Sequence, residues 1–241
     1  DVAVVSVQLA NHETGVIQPL EALSRRVRKW APNAVLHTDA VQAAPWLDLA
    51  ALAAAADLIS ISGHKIGGPQ GVGALGIRGD VEVSALLHGG GQERERRSGT
   101  LNVAAIAGLA AAIEALPQAA PAQDVADRRD LLARLVVGSL PGTAVTAEGS
   151  PRLPGHCHFR FEGVESEALL FLLDEAGVCA SAGAACASGA IEPSPVILAM
   201  GVDKTEAGGS LRCTLGRLTT EGEVRAAAWV IVESVRRLRG A

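Results

Sequence analysis

An α/β fold with a mostly parallel sheet, followed by a smaller α+β unit, is predicted from three observations. Short apolar runs alternate with helix-period segments through the first half of the chain, the pattern of strands joined by helical crossovers. The 241 residues are 49% hydrophobic with a net charge of -5, enough apolar material for one large core or two small ones. Past the middle, strand candidates become isolated between long helices, and the chain closes on a helix with a basic end, as the helix dipole favours.

In order, Val2 to Leu9 is a near-continuous apolar run and the first strand candidate. Residues 19–30 place Leu20, Leu23, Val27 and Trp30 at a helical period, and Ala34 to His37 is a second short strand. Leu49 to Ala56 is alanine-rich and helical, Leu58 to Ser62 is the third strand, and residues 72–77 are a fourth after a glycine-rich turn. Asn102 to Leu116 and Pro121 to Leu140 read as helices closed by Pro117 and Pro141-Gly142. A domain boundary is placed in or near the second of these, dividing residues 1–125 from 126–241. Beyond it, Cys157 to Phe161 alternates as a strand, Glu165 to Ala176 is helical, Leu211 to Leu215 is a strand, and Thr220 to Arg239 is the closing helix.

Composition excludes several function classes. No run of ~18 apolar residues is present, so no helical membrane span is expected. The opening residues, Asp1 to Val7, lack a basic flank of the signal-peptide kind and read as a strand already in progress, so the chain looks like a piece of something longer. Four cysteines without CxxC spacing in a chain of this size point to reduced thiols and a cytoplasmic setting. The arginines of residues 88–100 are interleaved with acids and have no aromatic neighbours, which argues against direct nucleic-acid binding.

The chemistry centres on residues 60–71, where Lys65 follows a strand and precedes glycines. Open α/β sheets bind ligands outside the carboxyl ends of their strands. Only three lysines stand against eighteen arginines, so an amine at this place runs against the composition. Lysine forms Schiff bases with carbonyl cofactors; arginine does not. Asp39 ends the preceding strand, one strand-helix-strand unit earlier, and Gln42 follows three residues on. A carboxylate opposite a Schiff-base lysine is what pyridoxal 5'-phosphate requires, because it keeps the pyridinium nitrogen protonated. Taken alone, Asp39 reads equally as a helix N-cap. Ser62 and His64 can donate to a phosphate, and Ser98-Gly99-Thr100 offers further hydroxyls before a helix N-terminus at Asn102.

Among the cysteines, Cys157, Cys179 and Cys213 lie in apolar or strand contexts and read as core residues. Cys186 is flanked by alanines, glycines and a serine, a stretch that packs weakly and suits a loop carrying an accessible thiol. His156, Cys157 and His158 form the only cluster suggestive of a metal; they alternate along a strand, and no metal site is expected.

The segments at residues 10–15 (ANHETG), 37–42 (HTDAVQ), 62–75 (SGHKIGGPQGVGAL), 88–102 (HGGGQERERRSGTLN), 181–201 (SAGAACASGAIEPSPVILAMG) and 211–219 (LRCTLGRLT) resemble, in order and spacing, those of cysteine desulfurases. These are class V aminotransferase relatives among the fold-type I pyridoxal-phosphate enzymes. The resemblance implies that residues 1–125 are the C-terminal part of a large cofactor-binding domain and 126–241 a small domain carrying the catalytic cysteine. It implies Lys65 and Cys186 as catalytic residues, and His12, Asp39, Gln42, Ser62, His64, Lys65 and Thr100 as cofactor ligands, Thr100 serving the neighbouring subunit of a homodimer. Arg212 would hold the substrate carboxylate, with His12 beside it. His12 stands where many members have a second asparagine, so imidazole would replace amide there. The family's segment preceding Asp1, with a phosphate-binding glycine-threonine loop and a histidine that stacks on the ring, has no counterpart in these residues.

The implied reaction removes sulfur from L-cysteine: the Lys65 amine takes the Cα proton, the Cys186 thiolate takes the sulfur as a persulfide, and alanine leaves. The sulfur would pass to an acceptor or iron-sulfur scaffold protein. The competing readings are a selenocysteine lyase or another class V enzyme, and a truncated, non-catalytic module that docks sulfur acceptors.

Overall fold

The computed structural model describes residues 2–79, 81–116, 121–183 and 193–240. They form two compact units, one of Asp1–Ala10 and Gln18–Ala119, the other of Asn11–Ile17 and Ala120–Ala241.

The first unit is built on a four-stranded sheet in the order β1 (Val4–Gln8), β2 (Val35–Asp39), β3 (Leu58–Ser62) and β4 (Gly73–Ile77). The first three strands are parallel, joined through α1 (Leu20–Trp30) and α2 (Leu49–Ala53). β4 returns antiparallel to β3. Only the glycine-rich turn separates those two strands, and a parallel return needs a crossover of a dozen or more residues. Side chains alternate across the sheet: Leu36 and Thr38 are fully buried on one face, while His37 and Asp39 point to the other. On that second face the register aligns Ser6 with His37, Gln8 with Asp39, and Asp39 with Ser60, so it is polar towards the carboxyl ends of the strands. The His37 ring lies 2.8 Å from Ser6 Oγ through Nδ1 and 3.1 Å from Ser60 Oγ through Nε2.

α3 (Val103–Glu114) starts at an Asn102 cap whose side chain accepts from the Ala105 amide at 3.1 Å. It packs on the turn after β3: Ala44, Ile66 and Leu109 form a small core with Ile61, Val72 and Ala112 against it.

The second unit has an antiparallel sheet, β5 (Thr143–Val145), β6 (His156–Phe161) and β7 (Ser210–Thr214), with β6 central. Phe159, Phe161 and Leu211 are fully buried, as are Leu169 and Leu173 of α5 (Ser166–Glu175) and Ile231 and Val235 of α8 (Glu221–Arg239). α4 (Pro121–Ser139) adds Val125, Leu132 and Val136. α8 is set by a Thr220/Glu223 capping box and a left-handed Gly240 at its end. Two short helices, α6 (Pro195–Ala199) and α7 (Lys204–Ala207), begin at the caps Ser194 and Asp203. Neither they nor β5 were expected from periodicity, because each is too short to show one.

The other face of β6 is covered by Asn11–Ile17. Ile17 N donates to Pro151 O, Leu153 N donates to Gly15 O, and Val16 bridges Arg152. Gly15 has φ 74°, and a Cβ there would lie 2.3 Å from His156 Cβ, so both conformation and space demand glycine. No helix among the described residues is long and apolar enough to cross a membrane.

Candidate active site

In the first unit, the sheet brings Asp39 and the Lys65 turn to neighbouring strand ends. Asp39 is the last residue of β2 and is half-buried. Its Oδ1 accepts from the Val41 amide at 2.9 Å, the cap-type contact, while Oδ2 makes no hydrogen bond among the described residues. One carboxylate oxygen thus holds the following turn and the other is available to a ligand. Gln42 lies half-buried on that same turn.

Lys65 ends a short 3-10 turn, Gly63–Lys65, directly after β3, and its side chain is exposed, as is that of His64. The turn is closed by Gly63 N donating to Val72 O and by Ile66 N and Gly68 N donating to Gly63 O. Its floor is tight: a Cβ on Gly63 would meet Pro69 O at 2.8 Å. Gly67 and Gly71 carry φ 83° and 75°, conformations that glycine adopts without strain. Ser62 Oγ lies 2.8 Å from His64 Nδ1, so a hydroxyl and an imidazole sit together beside the lysine.

Thr100 is exposed just before the α3 cap. The glycine-rich stretch ahead of it closes on itself: Ser98 Oγ donates to Gly90 O at 2.6 Å, and Gly99 N donates to Gln92 Oε1 at 3.2 Å. The Ser98 hydroxyl is thereby engaged within the loop, leaving Thr100 as the outward hydroxyl. Glu93, Arg94 and Glu95 all have positive φ, between 51° and 64°, strain that non-glycine residues seldom carry.

In the second unit, Arg212 lies on β7, half-buried. Its backbone exchanges hydrogen bonds with Ser181 at 2.6 and 3.2 Å, and Nη1 donates to the His12 carbonyl at 3.1 Å. His12 is half-buried, its Nε2 3.8 Å from Glu13 Oε1. Glu13 is a buried carboxylate that the motif did not single out; a Cβ on Gly183 would come within 3.1 Å of its Oε2. Cys186 falls outside the described residues.

The remaining cysteines separate by burial. Cys157 and Cys213 face each other across β6 and β7 and are buried as free thiols. Burial pushes the Cys213 thiol up to about 12 against the pull of Arg212, and pushes Cys157 up further still, with the Cys213 neighbour adding to it. Cys179 corrects the expectation: it is exposed, in the irregular stretch after α5, not a core residue. His158, expected only as a strand residue, is completely buried on the face it shares with Arg212. The signal in the sequence was its alternation with His156, which points both imidazoles away from Phe159.

Comparison with known proteins gives a consistent family. The family model described as aminotransferase class V matches residues 1–226. The chain is 42% identical over its whole length to an IscS-like cysteine desulfurase from Mycobacterium tuberculosis, of which it covers 62%. It is 41% identical to the cysteine desulfurase NifS of Azotobacter vinelandii across 93% of this chain and 56% of that one. Among solved structures, a NifS-like protein from Rickettsia africae superposes with a TM-score of 0.83 at 28% identity, over 100% of this chain and 62% of that one. A second NifS-like protein gives 0.83 at 34% identity, over 96% and 60%. The chain therefore spans about three fifths of the length of these relatives.

Proposed function

The chain belongs to the aminotransferase class V family, and from that premise we propose that the protein of which it forms part is a pyridoxal 5'-phosphate-dependent cysteine desulfurase. The observation that carries this reading is Lys65, exposed in a glycine-floored turn directly after β3, whose parallel neighbour β2 ends at Asp39. The residues present fit the cofactor by their chemistry. A carboxylate with an oxygen to spare suits the ring nitrogen, an accessible amine suits the aldehyde, and a hydroxyl-imidazole pair suits the phosphate.

Bound there, the cofactor supplies an electron sink for the bonds at the substrate Cα. Asp39 holds the proton on the ring nitrogen, and Gln42 donates to the ring oxygen. Ser62 and His64 hold the phosphate, with Thr100 reaching across to the second copy of a homodimer. By its place in the family motif, His12 would offer the cofactor an imidazole where an amide is more usual. Arg212 pairs with the substrate carboxylate through two parallel N–H donors, a task its planar fork suits better than an ammonium. The Lys65 amine removes the Cα proton and returns it. Cys186 Sγ takes the sulfur of L-cysteine as a persulfide, and alanine leaves with the carbon skeleton. The persulfide then serves an acceptor, an iron-sulfur scaffold protein, in the cytoplasm, where thiols stay reduced.

The test is turnover by the full-length protein loaded with pyridoxal phosphate and given L-cysteine. Alanine and protein-bound persulfide sulfur are expected in equal amounts before any reductant is added. Alanine from selenocysteine but none from cysteine would instead make the protein a selenocysteine lyase.

A further inference from the structure

His158 and Arg212 are opposite one another in the antiparallel pairing of β6 and β7. Leu215 N donates to Gly155 O at 2.8 Å and Phe161 N donates to Gly209 O at 2.9 Å, which marks those two residue pairs as hydrogen-bonded ones. Hydrogen-bonded and non-hydrogen-bonded pairs alternate along such a ladder, and His158 lies an odd number of residues from both. His158 and Arg212 are therefore a non-hydrogen-bonded pair, the kind in which side chains on the shared face come closest.

The His158 ring is completely buried. Its Nδ1 lies 2.8 Å from Thr146 Oγ1, itself buried, and its Nε2 is buried with no hydrogen-bond partner among the described residues. A buried polar atom in that state costs stability, so native structures nearly always supply it a partner. Arginine has donors and no acceptor. The attractive arrangement is then the tautomer in which Nδ1–H donates to Thr146 and the Nε2 lone pair faces the guanidinium. Arg160, the other cation on this face, is turned to Glu206, with Nη1 2.5 Å from Oε1. Burial first, then the charges of Arg160 and Arg212, push the His158 pKa down to about 4, so the ring keeps its lone pair at neutral pH.

We propose that His158 is the positioning residue of Arg212: oriented by Thr146, it turns its open Nε2 lone pair towards the cross-strand guanidinium and accepts from it when the arginine presents its fork to an amino-acid carboxylate, setting the plane of that fork. The Nη1 bond to the His12 carbonyl holds the same guanidinium from a second direction. The inference rests on the role given to Arg212 in the proposed function.

The experiment uses the full-length protein with histidine side chains labelled with nitrogen-15, alongside steady-state kinetics with L-cysteine. In the labelled protein at neutral pH, His158 is expected as the Nδ1–H tautomer, a readout independent of turnover. His158→Leu removes the acceptor and should raise KM about tenfold with kcat held within about twofold, the cost of a lost bond to a charged group. Thr146→Val frees the ring to turn and should raise KM about threefold, and His158→Asn, which restores an acceptor oxygen, should recover most of the loss. An Nε2–H tautomer overturns the proposal, and so does an unchanged KM in His158→Leu when Arg212→Lys raises it. If Arg212→Lys itself leaves KM unchanged, the carboxylate role of Arg212 is what fails, and the tautomer alone then decides the pairing.

Discussion

Gly108 of α3 meets Pro69 of the lysine turn with no room for a side chain: a Cβ on Gly108 would lie 2.6 Å from Pro69 Cγ and 3.0 Å from Cδ. One turn of helix away, a Cβ on Gly68 would come within 3.1 Å of Ala112 Cβ. The turn that presents Lys65 is therefore seated directly on the helix through two glycines. In an ordinary helix interior, glycine to alanine stabilises by about 1 kcal/mol. Gly108→Ala should do the reverse, costing about 1–3 kcal/mol as an overpacked contact, and should weaken cofactor retention by displacing the turn. Denaturation of the full-length protein, with the rate of cofactor loss on dilution, checks both, and a stabilised Gly108→Ala would show that the contact relaxes freely.

Lys65→Ala tests the amine directly. The full-length protein supplied with pyridoxal phosphate should be yellow, and the substitution should abolish that absorbance and turnover together. Lys204 and Lys29 are the only other lysines, and replacing either should leave the colour intact. A yellow Lys65→Ala protein would move the site elsewhere.

The parts of the fold that carried a long periodic signal were legible in the sequence. Residues 19–30, 102–116 and 220–239 each show several turns of helical pattern, and β1 to β3 are apolar runs bounded by turn residues. The direction of β4 was not, since strand propensity carries no sign; it follows from the shortness of the turn after Lys65. Cys179 was misread because its apolar neighbours suggested a core, whereas it follows Gly177, which has φ 78° and ends α5. Asn11–Ile17 covers β6 through contacts with residues some 140 positions away, and no local pattern encodes such contacts. In the first unit the residue types were readable because the proposed chemistry calls for them, a carboxylate at the end of β2 and an amine in the turn after β3, whereas Arg212 on β7 was picked out only by the family resemblance. The His158 pairing was not readable, because it depends on cross-strand register, which sequence periodicity leaves open.

The same histidine predicts a pH dependence of stability. Its pKa is about 4 in the folded protein against an ordinary value of 6.5, so below about pH 6.5 the unfolded chain takes up a proton that the folded chain refuses. Stability from this group is complete above pH 6.5 and is lost as pH falls towards 4, by about 3 kcal/mol at most. His158→Asn should flatten that slope while leaving the alkaline side unchanged. Urea denaturation of the two proteins between pH 7 and pH 4.5 measures it, and parallel curves would mean that the imidazole is protonated in the folded state.

The last prediction separates the cysteines. A sulfur acceptor must be reachable and must ionise, because the thiolate is the nucleophile. Cys157 and Cys213 fail on both counts, being buried with their thiols pushed far up. Replacing either with alanine should cost about 1–2 kcal/mol of stability with turnover largely kept. Cys179 is exposed, so burial does not disqualify it, and it is the proper control for Cys186. What favours Cys186 is its setting of small residues, Ala184-Ala185 before and Ala187-Ser188-Gly189 after, in the segment shared with the family motif. Cys186→Ala should still bind cysteine and still exchange its Cα proton with solvent, since those steps need Lys65 and the cofactor, yet it should release no sulfur. Cys179→Ala should behave as the parent. Mass spectrometry of the full-length protein after brief exposure to cysteine reads the outcome peptide by peptide, as one added sulfur atom. Added sulfur on the Cys179 peptide and none on that of Cys186, with sulfide release undiminished in Cys186→Ala, would transfer the role to Cys179.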